Sequence, residues 1–360
     1  MSRQLTVLFA GGGTAGHLLP ALATEEALKE LAISQPGFEL TTCYLATRGG
    51  AERKILAEKG ATYKLVPKTD FPRRINRDLF TFLPRLVIAV ARSLPMARQA
   101  NVVVGFGGYV ALPAYCAAWL TRKPLVIHEA NALAGMANRL GRRFASRSLA
   151  NFPLPGWDSR DVIGLPIRRS IWQLAKLSDQ KREEARVAAR ISFGLEPTRK
   201  TILIFGGSLG AARLNAALES GLTELLARGF QILHASGEGK PHPPARPGYH
   251  PISYIKEMEQ AYLAADVVVA RSGAGTCAEI SAVGVPALLV PLNIGNGEQR
   301  LNGERLLTRP NVRMVENDSL DGASLIKAVE ELATMAITPD QGPMSAAQRL
   351  AMIIIEEAGK

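Results

Sequence analysis

Apolar and polar positions repeat one plan along this chain: a short apolar run, a glycine cluster, then residues with helical spacing. The clearest copy is LTVLFAGGGTAGHLLP at residues 5–20, where six mostly apolar residues stop at three glycines and lead into a helical pattern over residues 18–32. TTCYLAT (41–47) reads as a second strand, followed by a helix near residues 52–59. NVVVGFGGYVALP (101–113) repeats the glycine punctuation, and PLVIHEAN (124–131) is a buried strand ending in His128, Glu129 and Asn131. DVIGLPIRRS (161–170) reads as a last strand running into a hinge, and residues 178–190 have helical composition. TILIFGGSLGAARLNAALESGLTELL (201–226) restates the opening plan, and DVVVA, RSGAG, TCAEISAVG and VPALLVP then give strand, turn, helix and strand. Residues 343–358 form an amphipathic helix. Strands alternating with helices predict α/β architecture with parallel sheets, and the repeated plan predicts two similar Rossmann-like domains.

The chemistry gathers at the glycines. They turn the backbone sharply and leave no Cβ between chain and ligand, while the following helix N-terminus offers N–H groups to an anion. His17 stands on the lip of the first turn and is its only titratable side chain; His128 is expected to be a core histidine. Glu279, early in the helix after Gly275, is placed to accept hydrogen bonds from a ribose diol, or else only complements the helix dipole. Asn293, Glu298, Gln299 and Asn302 supply groups that read sugar hydroxyls. GGGTAG also matches G-x-G-x-x-G through Gly11, Gly13 and Gly16. A NAD site would end the second strand in Asp or Glu; Ala46, Thr47 and Arg48 stand there, which disfavours NAD and leaves an NADP-dependent oxidoreductase as a remote alternative.

Length and charge narrow the class. A chain of 360 residues is long for one core. No apolar run approaches the roughly 20 residues that span a bilayer, and the first one is too short for a signal peptide. Three scattered cysteines, Cys43, Cys116 and Cys277, argue for a reducing compartment and against a structural zinc site. A formal charge of +11 calls for an anionic partner, and with no zinc finger or RNA-binding signature nucleic acid ranks last. Residues 71–98 carry six Arg against one Asp. Leu79, Phe80, Phe82, Leu83, Leu86, Val87 and Val90 form an apolar face, edged by Arg73, Arg74, Arg77, Arg85 and Arg92. Such a segment lies on an anionic membrane or is a core helix with a solvated basic face.

GGGTAGH, GFGGYV, HEAN, FGGSLGA, ARSGAGTCAEI and the Gln299/Asn302 segment, in this order over nearly the whole chain, resemble the MurG family of glycosyltransferases. The resemblance implies the glycosyltransferase B fold: two Rossmann-like domains facing a cleft, with a C-terminal helix crossing back to the first. Residues 1–166, with the returning 343–360, would be the acceptor and membrane-facing domain, and residues 167–342 the UDP-GlcNAc-binding domain. It implies inverting transfer of N-acetylglucosamine from UDP-GlcNAc to a polyprenyl-diphosphate-linked muramoyl pentapeptide; another lipid or natural-product acceptor is the alternative. His17 would be the base or would position the acceptor. Donor contacts carried over by motif are Thr14, Ala15, Gly16, Asn131, Arg168, Ser208, the Ile255 backbone, Ala274, Gly275, Thr276, Cys277, Ala278, Glu279 and Gln299. Acceptor or sugar contacts are Gly107, Gly108, Tyr109, Glu129, Asn138 and Asn302. Arg73, Arg74, Arg77, Leu79, Phe82, Leu86 and Trp119 would form the membrane patch. The sequence has no DxD triplet, so no metal cofactor is expected. The implied location is the cytoplasmic side of the cell membrane, peripherally bound, alongside cell-wall synthesis and division proteins.

Overall fold

The computed structural model describes residues 3–35, 37–69, 77–207, 212–293, 296–340 and 342–360. The chain divides into two compact units, Met1–Arg169 with Met344–Lys360, and Ser170–Pro343.

The first unit holds strands β1 (Arg3–Gly11), β2 (Phe38–Ala46), β3 (Tyr63–Leu65), β4 (Val102–Gly107), β5 (Leu125–Glu129) and β6 (Arg147–Ala150). All pair in parallel, in the order β3-β2-β1-β4-β5-β6. Its helices are α1 (Ala15–Ser34), α2 (Ala51–Glu58), α3 (Arg77–Gln99), α4 (Ala111–Leu120) and α5 (Met136–Gly141). β4 and β5 are buried along their whole length, as parallel strands covered on both faces must be. One core joins Val7, Phe9, Leu18, Leu28 and Val104; the other joins Leu8, Val103, Tyr115 and Ile127.

The second unit begins within α6 (Arg169–Leu174) and continues through α7 (Asp179–Ser192), whose N-cap Ser178 accepts a hydrogen bond from the Lys181 N–H. Strands β7 (Thr201–Phe205), β8 (Gln231–Ala235), β9 (Tyr249–Ile252), β10 (Val267–Ala270), β11 (Ala287–Leu289) and β12 (Val312–Met314) form a second parallel sheet, ordered β12-β11-β10-β7-β8-β9. Helices α8 (Ala212–Ala227), α9 (Met258–Ala264), α10 (Ala274–Val283), α11 (Glu298–Leu306) and α12 (Gly322–Leu332) accompany it. Counted within each unit, the strand orders are the same, so the repeated sequence plan is a repeated topology. Sheets of this kind bind ligands beyond the carboxyl ends of the strands, where the order reverses. Those points are β1/β4 and β7/β10, where the glycine motifs lie.

α13 (Ala346–Ala358) follows the second unit in sequence but packs on α1 in the first. A capping box between Ser345 and Gln348 starts it, and Leu350, Ala351 and Ile354 enter the first unit's core.

Candidate active site

In the first unit, the β1 and β4 turns interlock. Gly13 has φ +102°, and a Cβ there would press on the Tyr109 ring at 2.7 Å. Gly108 has φ +80°, and a Cβ there would overlap the Gly12 carbonyl oxygen. Thr14 follows as the extended N-cap of α1, and its Oγ1 lies 3.2 Å from Nδ1 of His17. His17 is half-buried, with its ring over Gly107 and Gly108, within 4 Å of where their Cβ atoms would stand. Gly16 is exposed, and Ala15 is placed by its backbone as the first residue of α1.

Glu129, at the end of β5, is buried and organises the loop after it. Its Oε1 accepts from the Asn131 N–H at 3.0 Å, and its Oε2 accepts from the Gly135 N–H at 2.9 Å and Asn138 Nδ2 at 2.8 Å. Asn138 is buried too and accepts at Oδ1 from the Tyr115 hydroxyl at 2.7 Å. The hydrogen bonds of these two residues are directed inward and shape the loop that carries half-buried Asn131. His128 is fully buried; Nε2 donates to the Gly164 carbonyl at 2.8 Å, and burial pushes its pKa down to about 4. Arg168 is half-buried in the segment that closes this unit.

In the second unit, the turn after β10 leads into α10 with Gly273 as N-cap. Among the described residues nothing stands within 4 Å of a Cβ built at Gly207, Gly273 or Gly275, so their packing does not demand glycine there. Ala274, Thr276 and Ala278 are half-buried around the helix start. Cys277 is fully buried and its thiol is pushed up to about 12 by burial. Glu279 is half-buried, six residues into α10, and its Oε2 accepts from the Tyr262 hydroxyl at 3.0 Å. The Ile255 side chain is buried, which anchors the backbone expected to meet a base. Gln299 accepts at Oε1 from the Leu292 N–H at 3.0 Å, and Asn302 is fully buried, donating from Nδ2 to the Ser272 carbonyl at 3.4 Å. Asn302 thus braces the turn through Ser272. Ser208 lies outside the described residues.

The described part of the basic segment lies in α3. α3 turns Phe82, Ala89, Ser93 and Ala97 inward, with Leu86 half-buried beside them. Leu83, Val87 and Ile88 of α3 are exposed, as are Trp119 and Leu120 at the end of α4. Arg85 and Arg92 are exposed on the same helix. Of the expected patch, Trp119 is exposed, whereas Phe82 is core and Leu86 only partly accessible. Arg77 and Leu79 are described only by their place in α3, and Arg73 and Arg74 lie outside the described residues. Among the described residues no helix is long and apolar enough to cross a membrane.

Two residues of consequence escaped the sequence reading: Tyr262, which holds Glu279, and Glu52, which lies under the first glycine turn. Neither sits in a glycine motif, and only the fold brings them there.

Two doubly wound domains, each with glycine turns at its switch point, define the architecture of a glycosyltransferase of the B type. The Glycosyltransferase family 28 N-terminal domain matches residues 7–150 and the C-terminal domain of that family matches residues 201–355, and the chain belongs to this family. It is 41% identical over 358 residues to the UDP-N-acetylglucosamine--N-acetylmuramyl-(pentapeptide) pyrophosphoryl-undecaprenol N-acetylglucosamine transferase of Corynebacterium efficiens, covering 97% of this chain and 93% of that protein. The enzyme of the same name from Mycolicibacterium smegmatis is 39% identical over 376 residues, covering 99% and 95%. The crystal structure of Acinetobacter baumannii MurG matches with a TM-score of 0.73 at 25% identity, covering 98% of this chain and 99% of that one.

Proposed function

We propose that this enzyme transfers N-acetylglucosamine from UDP-GlcNAc to the 4-hydroxyl of the muramoyl sugar of undecaprenyl-diphospho-muramoylpentapeptide, with inversion, converting lipid I to lipid II. The observation that carries this is the 41% identity, over 97% of the chain, to a transferase bearing that name.

In this reading the bond from the acceptor O4 to C1 of the sugar forms as the bond from C1 to the diphosphate oxygen breaks, and UDP leaves with the electron pair. The acceptor proton passes to His17. With Nδ1–H donating to Thr14 Oγ1, Nε2 holds the lone pair that takes it. Charge growing on the leaving diphosphate is met by main-chain N–H groups at Gly206–Ser208 and Gly273–Thr276, which need no reorganisation as the reaction proceeds. That no described residue crowds Gly207, Gly273 or Gly275 supports this, because it leaves room for a diphosphate to approach the backbone. Glu279 takes the ribose, the Ile255 backbone the uracil, and Gln299 the sugar; Asn131, Arg168, Ser208 and residues 14–16 complete the donor contacts. No step calls for a metal.

The acceptor's tail stays in the bilayer, so the enzyme works at the membrane surface. We place it there peripherally, on the cytoplasmic side, where UDP-GlcNAc is made available. Leu83, Val87, Ile88, Trp119 and Leu120 enter the interface, and nearby arginines contribute about 1 kcal/mol each against anionic lipid. The test is transfer of labelled GlcNAc from UDP-GlcNAc to lipid-linked muramoyl pentapeptide with UDP release followed in parallel. Transfer to that acceptor is expected; UDP-GlcNAc turnover only with a different acceptor would overturn the assignment. A melting temperature raised by UDP and unmoved by NADP separates the transferase from an oxidoreductase.

A further inference from the structure

Glu52, in the first turn of α2, is a fully buried carboxylate outside every glycine motif. Three donors converge on it. The Gly13 N–H donates to Oε2 at 3.1 Å, and the Thr47 N–H and hydroxyl donate to Oε1 at 3.0 and 2.9 Å. The surrounding backbone is shaped to admit it. A Cβ at Gly50 would overlap both carboxylate oxygens, and one at Gly12 would stand 3.2 Å from Oε1 and 2.9 Å from Val110 Cγ2. Gly108 closes on the Gly12 carbonyl from another side. Gly12 and Gly13 are thus clamped between α2 and the β4 turn. The next residue, Thr14, caps α1 and meets the His17 ring.

We propose that Glu52 is a positioning residue for glycosyl transfer: its carboxylate fixes the backbone at residues 12–14 and, through Thr14, the imidazole of His17. This rests on the reading of His17 given above. A carboxylate suits the task because it is acceptor-only and can take all three bonds. A glutamine of the same size must turn an NH2 group toward either Gly13 or Thr47, setting donor against donor. Loss of the Gly13 contact frees the turn ahead of the imidazole, and small misplacements of a catalytic group are costly in rate.

The experiment compares Glu52→Gln, Glu52→Asp, Thr47→Val, His17→Ala and the Glu52→Gln/His17→Ala double variant of the full chain in the labelled transfer assay, with melting temperature and calorimetric UDP binding for each. Glu52→Gln and Glu52→Asp are expected to lower kcat by about tenfold or more, with KM for UDP-GlcNAc and UDP affinity near wild type. Thr47→Val, which removes only the hydroxyl bond, is expected to keep kcat within about twofold. The double variant is expected to be no slower than His17→Ala, because Glu52 acts through the imidazole. The proposal is overturned if folded Glu52→Gln or Glu52→Asp turns over like wild type, if Thr47→Val falls as far as they do in step with its melting temperature, or if the two losses multiply in the double variant. Wild-type turnover by His17→Ala would instead refute the role of His17 itself.

Discussion

Glycines at the turns of the two units differ in what they are for, and substitution separates them. Gly108 has φ +80°, and a Cβ there would enter the Gly12 carbonyl, so Gly108→Ala should cost about 3 kcal/mol or more in denaturant unfolding. Gly275 lies within α10 with no described residue within 4 Å of a Cβ built there, so Gly275→Ala should leave stability unchanged or raise it by about 0.5–1 kcal/mol while weakening UDP in calorimetry. A Gly275→Ala protein that binds UDP as tightly as wild type would move the diphosphate away from this turn. His17→Ala is expected to reduce kcat at saturating acceptor by about 10²–10⁴-fold. Glu279→Gln, which keeps the Tyr262 neighbour but loses the charge, should weaken UDP-GlcNAc by about tenfold or more. The sequence named His17 and Glu279 because each stands beside a glycine turn at a strand end. The buried side chains of Cys277, Glu129, Asn138 and Asn302 were not legible there, since motif membership places a residue near a turn without saying which way its side chain points.

Helix α3 shows the same gap one level up. Its apolar positions form two stripes, not one broad face. Phe82, Leu86, Ala89, Ser93 and Ala97 recur at steps of three and four and face inward, and the small residues among them let α4 pack closely. Leu83 and Val87, one position on, are 57% and 67% exposed. An apolar count could not divide the stripes, because the division is made by α4, a neighbour found from the fold. Leu83→Ser with Val87→Ser should therefore weaken binding to anionic vesicles without lowering the melting temperature. Phe82→Ser should do the reverse, lowering stability by a few kcal/mol (about 3) as a buried aromatic is lost. Vesicle binding unaffected by the exposed pair would place the membrane contact elsewhere on the chain.

For the molecule as a whole, the C-terminal helix ties the chain's end to its beginning. Leu350, Ala351 and Ile354 of α13 belong to the first unit's core, so deleting residues 344–360 should raise amide exchange in β1 and α1. Two buried histidines also set an acid limit, one in each unit. His128 and His234 titrate near 4 when folded, each depressed mainly by desolvation, against about 6.5 when unfolded. Between those values the unfolded chain binds more protons, so stability rises with pH across this window and is lost as pH falls toward 4. Melting temperature scanned from pH 7 to about 4 should decline accordingly, less steeply in a His234→Gln variant. The amino-acid order alone determined the α/β class, the doubling of the domain and the glycine turns, because apolar period and glycine placement are local properties of the chain. It also marked the returning helix through its amphipathic spacing and its family resemblance. Strand order, the clamp of Glu52 on Gly13, and the sorting of polar groups into surface and interior were decided only by tertiary structure. They depend on which segments distant in sequence come to lie against one another, and no window of neighbouring residues contains that information.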